Sequence, residues 1–367
     1  MRTIFTLLVA VLLLTVGHAA DEAPIAKSPT ANDQSPKYQE HQDLSYYLSA
    51  DGKKQPIKTK ADWEKRRAHI VAGLQQAMGP LPQPKSPVPL DVQELESTVE
   101  GKYTRKRIAY HTDSAERRVH AYLFLPTAAR SPGPAVLCLH QTTNIGKGEP
   151  AGLGGNPNLQ YAKHLAERGY ITLAPDYPSF GEYQYDFPAS DGYVSGSMKA
   201  IYDNIRAVDL LVSLKEVDKA RIGCIGHSLG GHNALFTAVF EPRIKAVVSN
   251  CGFTRAHKYY GGKLKGWTSN RYMPLIDKQF GNDPDRLPFD FPELIAALAP
   301  RAFLASSPLH DDNFEVSGVR DSIESAKPVY KLFSVEDRLQ ANYPDCAHDF
   351  PAEVREVAYK FLDEQLK

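Results

Sequence analysis

The chain has 367 residues, with 43 lysines and arginines balanced by 43 aspartates and glutamates, so its formal net charge is zero. That balance offers no basic face to nucleic acid or to an anionic membrane surface. With 42% hydrophobic and 23% charged residues, the composition is that of a globular protein large enough for one α/β domain or two small ones.

Residues 1–20 read as a secretory signal peptide. Arg2 precedes an apolar stretch at 4–16, and Gly17, Ala19 and Ala20 supply the small residues that a cleavage site needs. An apolar core of about 13 residues falls short of the ~18 required to span a membrane. Export to the periplasm or the extracellular space is therefore expected, with no stable membrane insertion after cleavage. The first cysteine is Cys138, so no lipid can attach at a processed N-terminal cysteine.

Residues 21–90 form an N-terminal arm and linker. The stretch to about residue 40 is rich in Pro, Ser, Ala and charge. Trp63, Ile70, Leu74 and Met78 then recur at helical spacing over 59–78. Gly79 and Pro80 stop that helix, and a proline-rich linker runs to Pro89. The arm is too short to bury a core of its own and is expected to pack on the main domain, 91–367.

From there the pattern alternates. An antiparallel pair is expected at 103–111 and 119–126. Further strands are expected at 135–140, 170–175, 221–226, 245–250, 301–306 and 338–343. Helices are expected at 158–168, 197–214, 233–240, 319–326 and 352–366. This order predicts an α/β fold: a doubly wound, mostly parallel sheet with helices on both faces. Three long connections, 141–157, 177–196 and 252–292, leave the C-terminal ends of strands, where such sheets bind ligands.

One turn carries the chemistry. Gly226-His227-Ser228-Leu229-Gly230-Gly231 follows an apolar strand and precedes a helix. This is the context of a nucleophile elbow, in which a strained turn lifts a serine hydroxyl above the sheet. Serine needs a base and an acid to become a nucleophile. His348 follows the last expected strand and is the candidate base. Asp311 is the first candidate for the acid and Asp312 the second, both after the strand 301–306. His140 is expected to order the loop it opens, and Asp176 to hold a structural turn. The backbone N–H of Leu229 and that of Thr142, with Gln141 as the second choice, are the candidate oxyanion donors.

Cys138 and Cys224 sit in central strands as small hydrophobes. A bridge between Cys251 and Cys346 stays open. No CxxC or HExxH spacing suggests a metal, and no cofactor is implied. In the 252–292 insertion, Trp267, Arg271 and Tyr272, with Tyr259 and Tyr260, either contact a sugar or only pack the insertion against the sheet.

Over residues 100–367 the chain resembles the α/β-hydrolase superfamily. It is similar to the branch of dienelactone-hydrolase-like and prolyl-oligopeptidase-like enzymes that includes exported bacterial carbohydrate esterases of the acetyl xylan type. The resemblance rests on Leu139-His140-Gln141-Thr142, Ala174-Pro175-Asp176, the elbow hexapeptide, Ala299-Pro300-Arg301 and Cys346-Ala347-His348-Asp349. It implies a serine esterase acting through an acyl-enzyme on a glycan or small-molecule ester. A serine peptidase or amidase of the same fold is the alternative.

Overall fold

The apolar runs and helical stretches resolve in the computed structural model, which describes residues 36–84, 86–128 and 132–367. The leader expected at 1–20 lies outside the described residues. The chain first forms β1 (Tyr46–Leu48), β2 (Lys54–Pro56) and α1 (Lys60–Met78). Then follow β3 (Gln93–Glu100), β4 (Tyr103–Tyr110), β5 (Val119–Pro126), β6 (Gly133–Leu139), α2 (Tyr161–Glu167) and β7 (Ile171–Pro175). Next come α3 (Gly196–Ser213), β8 (Val217–His227), α4 (Leu229–Phe240), β9 (Ile244–Asn250), α5 (Leu275–Lys278) and α6 (Phe291–Leu298). The chain closes with β10 (Ala302–Ser306), α7 (Val316–Phe333), β11 (Leu339–Asn342) and α8 (Ala352–Leu366).

Nine strands form one sheet in the order β11-β10-β9-β8-β6-β7-β5-β4-β3. The six strands from β6 onward run parallel, while β5, β4 and β3 pair antiparallel at one edge. Successive residues of β6 face opposite layers. Ala135, Leu137 and Leu139 join the core under α1, α3, α4, α6 and α7, and Val136 and Cys138 join the core under α2 and α8. Burial on both faces explains why β6 reads as an unbroken apolar run. The strand order reverses at β6, with β7 on one side and β8 on the other. Loops leaving the C-terminal ends of β6 and β8 therefore diverge and leave a crevice, the usual ligand position in such sheets.

The expected strands and helices are present, with shifts at their ends. Three differences have clear causes. The antiparallel edge gains β3, whose sequence QELESTVE is almost wholly exposed and shows no apolar face. The 252–292 insertion runs directly into α6, which begins with Pro292 in its first turn and buries all eight residues, so no polar face marks it. Helix α7 continues to Phe333 although Pro328 lies inside it, longer than the expected 319–326.

The arm is fastened to the domain. Thr59 and Asp62 form a capping box at the start of α1. Trp63, Ile70, Leu74, Ala77 and Met78 of α1 belong to the same core as α6 and α7. Arg66 is fully buried, its Nη2 2.7 Å from Glu293 Oε1 at the start of α6, and its guanidinium lies 3.2 Å from the centre of the Tyr38 ring. His41 Nδ1 bonds the other oxygen of Glu293 at 2.7 Å. Breaking a buried pair by removing one partner strands the other charge. Arg66→Met is expected to lower stability by about 3–5 kcal/mol, read from urea unfolding. A loss within 1 kcal/mol would mean that the arm is not anchored through this pair.

Candidate active site

Strand β8 ends in the turn and α4 begins within it. Ser228 stands between them at φ 53°, ψ −119°, a backbone conformation that costs a non-glycine residue about 1–3 kcal/mol. Its N–H donates to the Asn250 carbonyl at 2.9 Å, and its own carbonyl accepts from the His232 N–H at 2.9 Å. The serine side chain makes no capping bond to α4, so the hydroxyl is not consumed by the helix.

The flanking glycines answer to space. A Cβ on Gly230 would sit 1.9 Å from the Leu139 carbonyl oxygen, and one on Gly226 would sit 2.2 Å from Gly230 backbone. These neighbours are backbone atoms that cannot swing aside. Gly230 is what lets α4 start directly against the end of β6.

His348 lies on the loop between β11 and α8. Its Nδ1 is 2.9 Å from both carboxylate oxygens of Asp311. Asp311 is buried and also accepts the N–H groups of Asn313 at 2.9 Å and Phe314 at 3.0 Å. Burial alone would raise the Asp311 pKa. The hydrogen bond and charge of His348, together with those two N–H groups, outweigh it and hold the carboxyl below its ordinary range. An ionised Asp311 fixes the proton on Nδ1 and leaves Nε2 free to accept one. Asp312 is exposed and takes no part in this contact. Asp311 itself makes an Asx-type turn through its bonds to those two N–H groups.

His227 packs against His348 with ring centroids 4.8 Å apart. Asn250 Nδ2 donates to His227 Nδ1 at 2.7 Å. Burial, reinforced by the charge of His348, pushes the His227 pKa down to about 3, which keeps a second positive charge from competing with His348. The His348 loop is pinned through its neighbour. Asp349 accepts from Asn156 Nδ2 at 3.0 Å and Asn158 Nδ2 at 2.6 Å, and its carbonyl accepts from Asn250 Nδ2 at 3.1 Å. Nothing local in the sequence marks Asn156 and Asn158, which act on Asp349 from nearly two hundred positions away.

The loop after β6 is ordered as expected of His140. Its Nε2 accepts the Tyr177 N–H at 2.9 Å while Nδ1 donates to the Gln141 carbonyl at 2.5 Å. Asp176 braces the same loop, accepting the Lys147 N–H at 2.8 Å and pairing with Lys147 Nζ at 2.6 Å. The side chain of Gln141 turns away to Glu149 at 2.9 Å, whereas Thr142 lines the cavity beside Ser228 and Leu229.

That cavity measures about 90 Å³. Its remaining walls are His232, Tyr259, Gly266, Trp267, Tyr272, Asn313 and Phe314. Tyr272 OH lies 3.1 Å from Thr142 Oγ1 and bridges the insertion to the loop after β6. Of the candidate contact residues, Trp267 and Tyr272 line the cavity and Arg271 does not. The Arg271 guanidinium bonds Ser179 Oγ at 2.8 Å and lies over the Phe180 ring at 4.2 Å, so its charge is already placed elsewhere. His310 and His257 each bond an aspartate, Asp345 at 2.7 Å and Asp285 at 2.8 Å, on the exposed surface.

All four cysteines carry free thiols. Cys251, Asp311 and His348 bring one ligand atom each to within 4.8 Å of one another, the spacing of a metal site. Burial, followed by the nearby Asp311 charge, pushes the Cys251 thiol well above its ordinary pKa. A metal needs the thiolate, and it would also have to displace the Asp311–His348 bond.

Residues 158–318 match the prolyl oligopeptidase family. YtaP of Bacillus subtilis (strain 168) is 27% identical over 269 residues, covering 69% of this chain and 85% of that protein. Carbohydrate esterase MZ0003, from an unknown prokaryotic organism, is 26% identical over 150 residues, covering 38% of this chain and 34% of that protein. The solved glucuronoyl esterase from Solibacter usitatus superposes with a TM-score of 0.68 at 20% identity, covering 91% of this chain and 99% of that one. The chain thus has the α/β-hydrolase fold, is similar over its central stretch to the prolyl oligopeptidase family, and shares its framework with the solved glucuronoyl esterase.

Proposed function

We propose that this protein is an exported serine esterase that cleaves carboxylic esters, with a carbohydrate ester as its substrate class. The observation that carries this reading is the doubly bonded Asp311–His348 pair on the loops flanking a strained Ser228. Ser228 Oγ attacks the ester carbonyl while His348 Nε2 takes its proton. The tetrahedral oxyanion is held by the N–H of Leu229, at the positive end of α4, and by that of Thr142. As the intermediate collapses, His348 returns the proton to the departing alcohol oxygen. Water, activated by the same imidazole, then hydrolyses the acyl-enzyme and frees Ser228.

No Ser228–His348 hydrogen bond is present among the described side chains. Such a bond is often long in a site without substrate and tightens when substrate binds. The apolar stretch at residues 4–16 supports export. Detection of a shortened mature chain in the periplasm or medium of a bacterial host would test that part.

The prolyl oligopeptidase match favours a second reading, a peptidase or amidase. The triad chemistry serves both, so substrate turnover must decide between them. On a panel of p-nitrophenyl acetate and aminoacyl p-nitroanilides, the ester is expected to show the higher kcat/KM. Faster turnover of the anilides would replace the esterase reading with the peptidase one.

A further inference from the structure

Glu149 is a buried acidic residue that the proposed mechanism leaves idle. It is 3% exposed, lies on the long loop between β6 and α2, and does not line the cavity at Ser228. Among the described residues no cation pairs with it. Lys147, two positions earlier, is committed to Asp176 and Glu182 at 2.6 Å each. Holding a carboxyl group out of water without a cation is costly unless its oxygens are hydrogen-bonded.

Both oxygens of Glu149 are bonded. Oε2 accepts from the Gln141 side-chain amide at 2.9 Å, and Oε1 accepts the Asn156 N–H at 3.0 Å. The loop is shaped around the group. Gly155 stands at φ 73°, and a Cβ there would come within 2.4 Å of Oε1.

These two bonds put Glu149 between the two halves of the site. Gln141 immediately precedes Thr142, whose N–H is a proposed oxyanion donor. Asn156 leads to the base, since its Nδ2 donates to Asp349 Oδ1 at 3.0 Å and Asp349 immediately follows His348. A path of hydrogen bonds thus runs through Gln141, Glu149, Asn156 and Asp349 without touching Ser228. Secondary structure does not set the spacing of those loops. Between β6 and Asn156 the chain forms only the short 3₁₀ turn Gly146–Gly148. In a serine hydrolase that spacing matters, because a misplacement of about 1 Å can cost on the order of 10²-fold in rate.

Resting on the triad mechanism proposed above, we infer that Glu149 is a positioning residue that holds the loop after β6 in register with the loop carrying His348. It touches neither substrate nor the reacting atoms. It acts through Gln141 on one side and Asn156 on the other, and what the place requires is hydrogen bonding to both rather than charge.

The test uses the purified full-length enzyme and its turnover of p-nitrophenyl acetate. Glu149→Ala breaks both bonds and is expected to lower kcat at least about tenfold, with KM within about threefold of wild type. Glu149→Gln is expected to recover kcat to within about threefold of wild type. Its carbonyl can accept the Asn156 N–H while its NH₂ group donates to Gln141, whose own amide turns over to accept. Asn156→Ser breaks the path at its next link. A serine hydroxyl can still accept the Asn158 N–H that Asn156 Oδ1 now accepts at 2.9 Å, so the turn at Pro157–Leu159 stays capped. This variant is expected to lower kcat in the same way, and it serves in place of Glu149→Ala should the alanine protein lose its fold by circular dichroism. Because both changes cut one path, the double variant is expected to lie within about threefold of the weaker single variant. A folded Glu149→Ala protein with wild-type kcat, a loss confined to KM, or a glutamine variant as impaired as the alanine one would overturn the inference. Losses that multiply in the double variant would overturn it too. Wild-type turnover by Ser228→Ala would instead overturn the mechanism on which the inference rests.

Discussion

Replacing Ser228 with alanine is expected to lower kcat for ester hydrolysis on the order of 10⁶-fold while leaving the folded state intact. The side chain makes no capping bond to α4, so no structural hydrogen bond is lost. The backbone bonds of Ser228 to Asn250 and His232 survive the substitution. What disappears is the only atom that can form the acyl-enzyme. Wild type should also take up one equivalent of a serine-directed phosphonate, visible by mass spectrometry, and the variant none. A variant that keeps activity within tenfold of wild type, with an unchanged melting curve, would refute the proposed mechanism.

Asp311→Asn is expected to cost about 10⁴-fold in kcat, by analogy with the triad aspartate of other serine hydrolases. The carboxylate accepts the Nδ1 proton of His348, whereas an amide can turn its NH₂ group toward that nitrogen. The proton then moves to Nε2, where the serine needs an acceptor. The same substitution has a signed effect on stability. The Asp311 pKa is depressed in the folded protein, so ionised Asp311 adds stability above its unfolded value of about 3.9. That increment is lost as pH falls through the lower, folded value. Wild type should therefore be the more stable protein at pH 7, and the difference should shrink as the solution is acidified below about 4. Melting curves across that range check it. A difference that grows on acidification would mean that the carboxyl is not held ionised by His348.

Much of the framework was legible because buried parallel strands and the elbow leave local marks. A strand covered on both faces has to be apolar throughout, and Gly226, Gly230 and Gly231 are required by contacts that no other residue can make. The order of Ser228, Asp311 and His348 along the chain was legible for the same reason, each following a recognisable strand. Strand β3 was not, because an exposed edge strand has no apolar face to display. Helix α6 was hidden by being buried all round, which removes the periodic polar side that identifies a helix. The fate of Arg271 was also hidden. Arginine in an insertion full of aromatics reads as a ligand contact, and only the fold reveals that Ser179 and Phe180 claim it. The clamp of Asn156 and Asn158 on Asp349 joins segments far apart in sequence, and single amides carry no pattern.

Most of the cavity comes from two stretches of chain, with Asn313 and Phe314 added from the loop after β10. Ser228, Leu229 and Thr142 hang from the ends of β8 and β6, while Tyr259, Trp267 and Tyr272 come from the segment between β9 and α6. Reactivity and selectivity are therefore inherited on separate stretches of chain. Drift within the insertion can reshape what is accepted while the sheet ends keep the bond-breaking geometry, which makes this segment a natural substrate for evolution and the first place to randomise in a directed search for new esters.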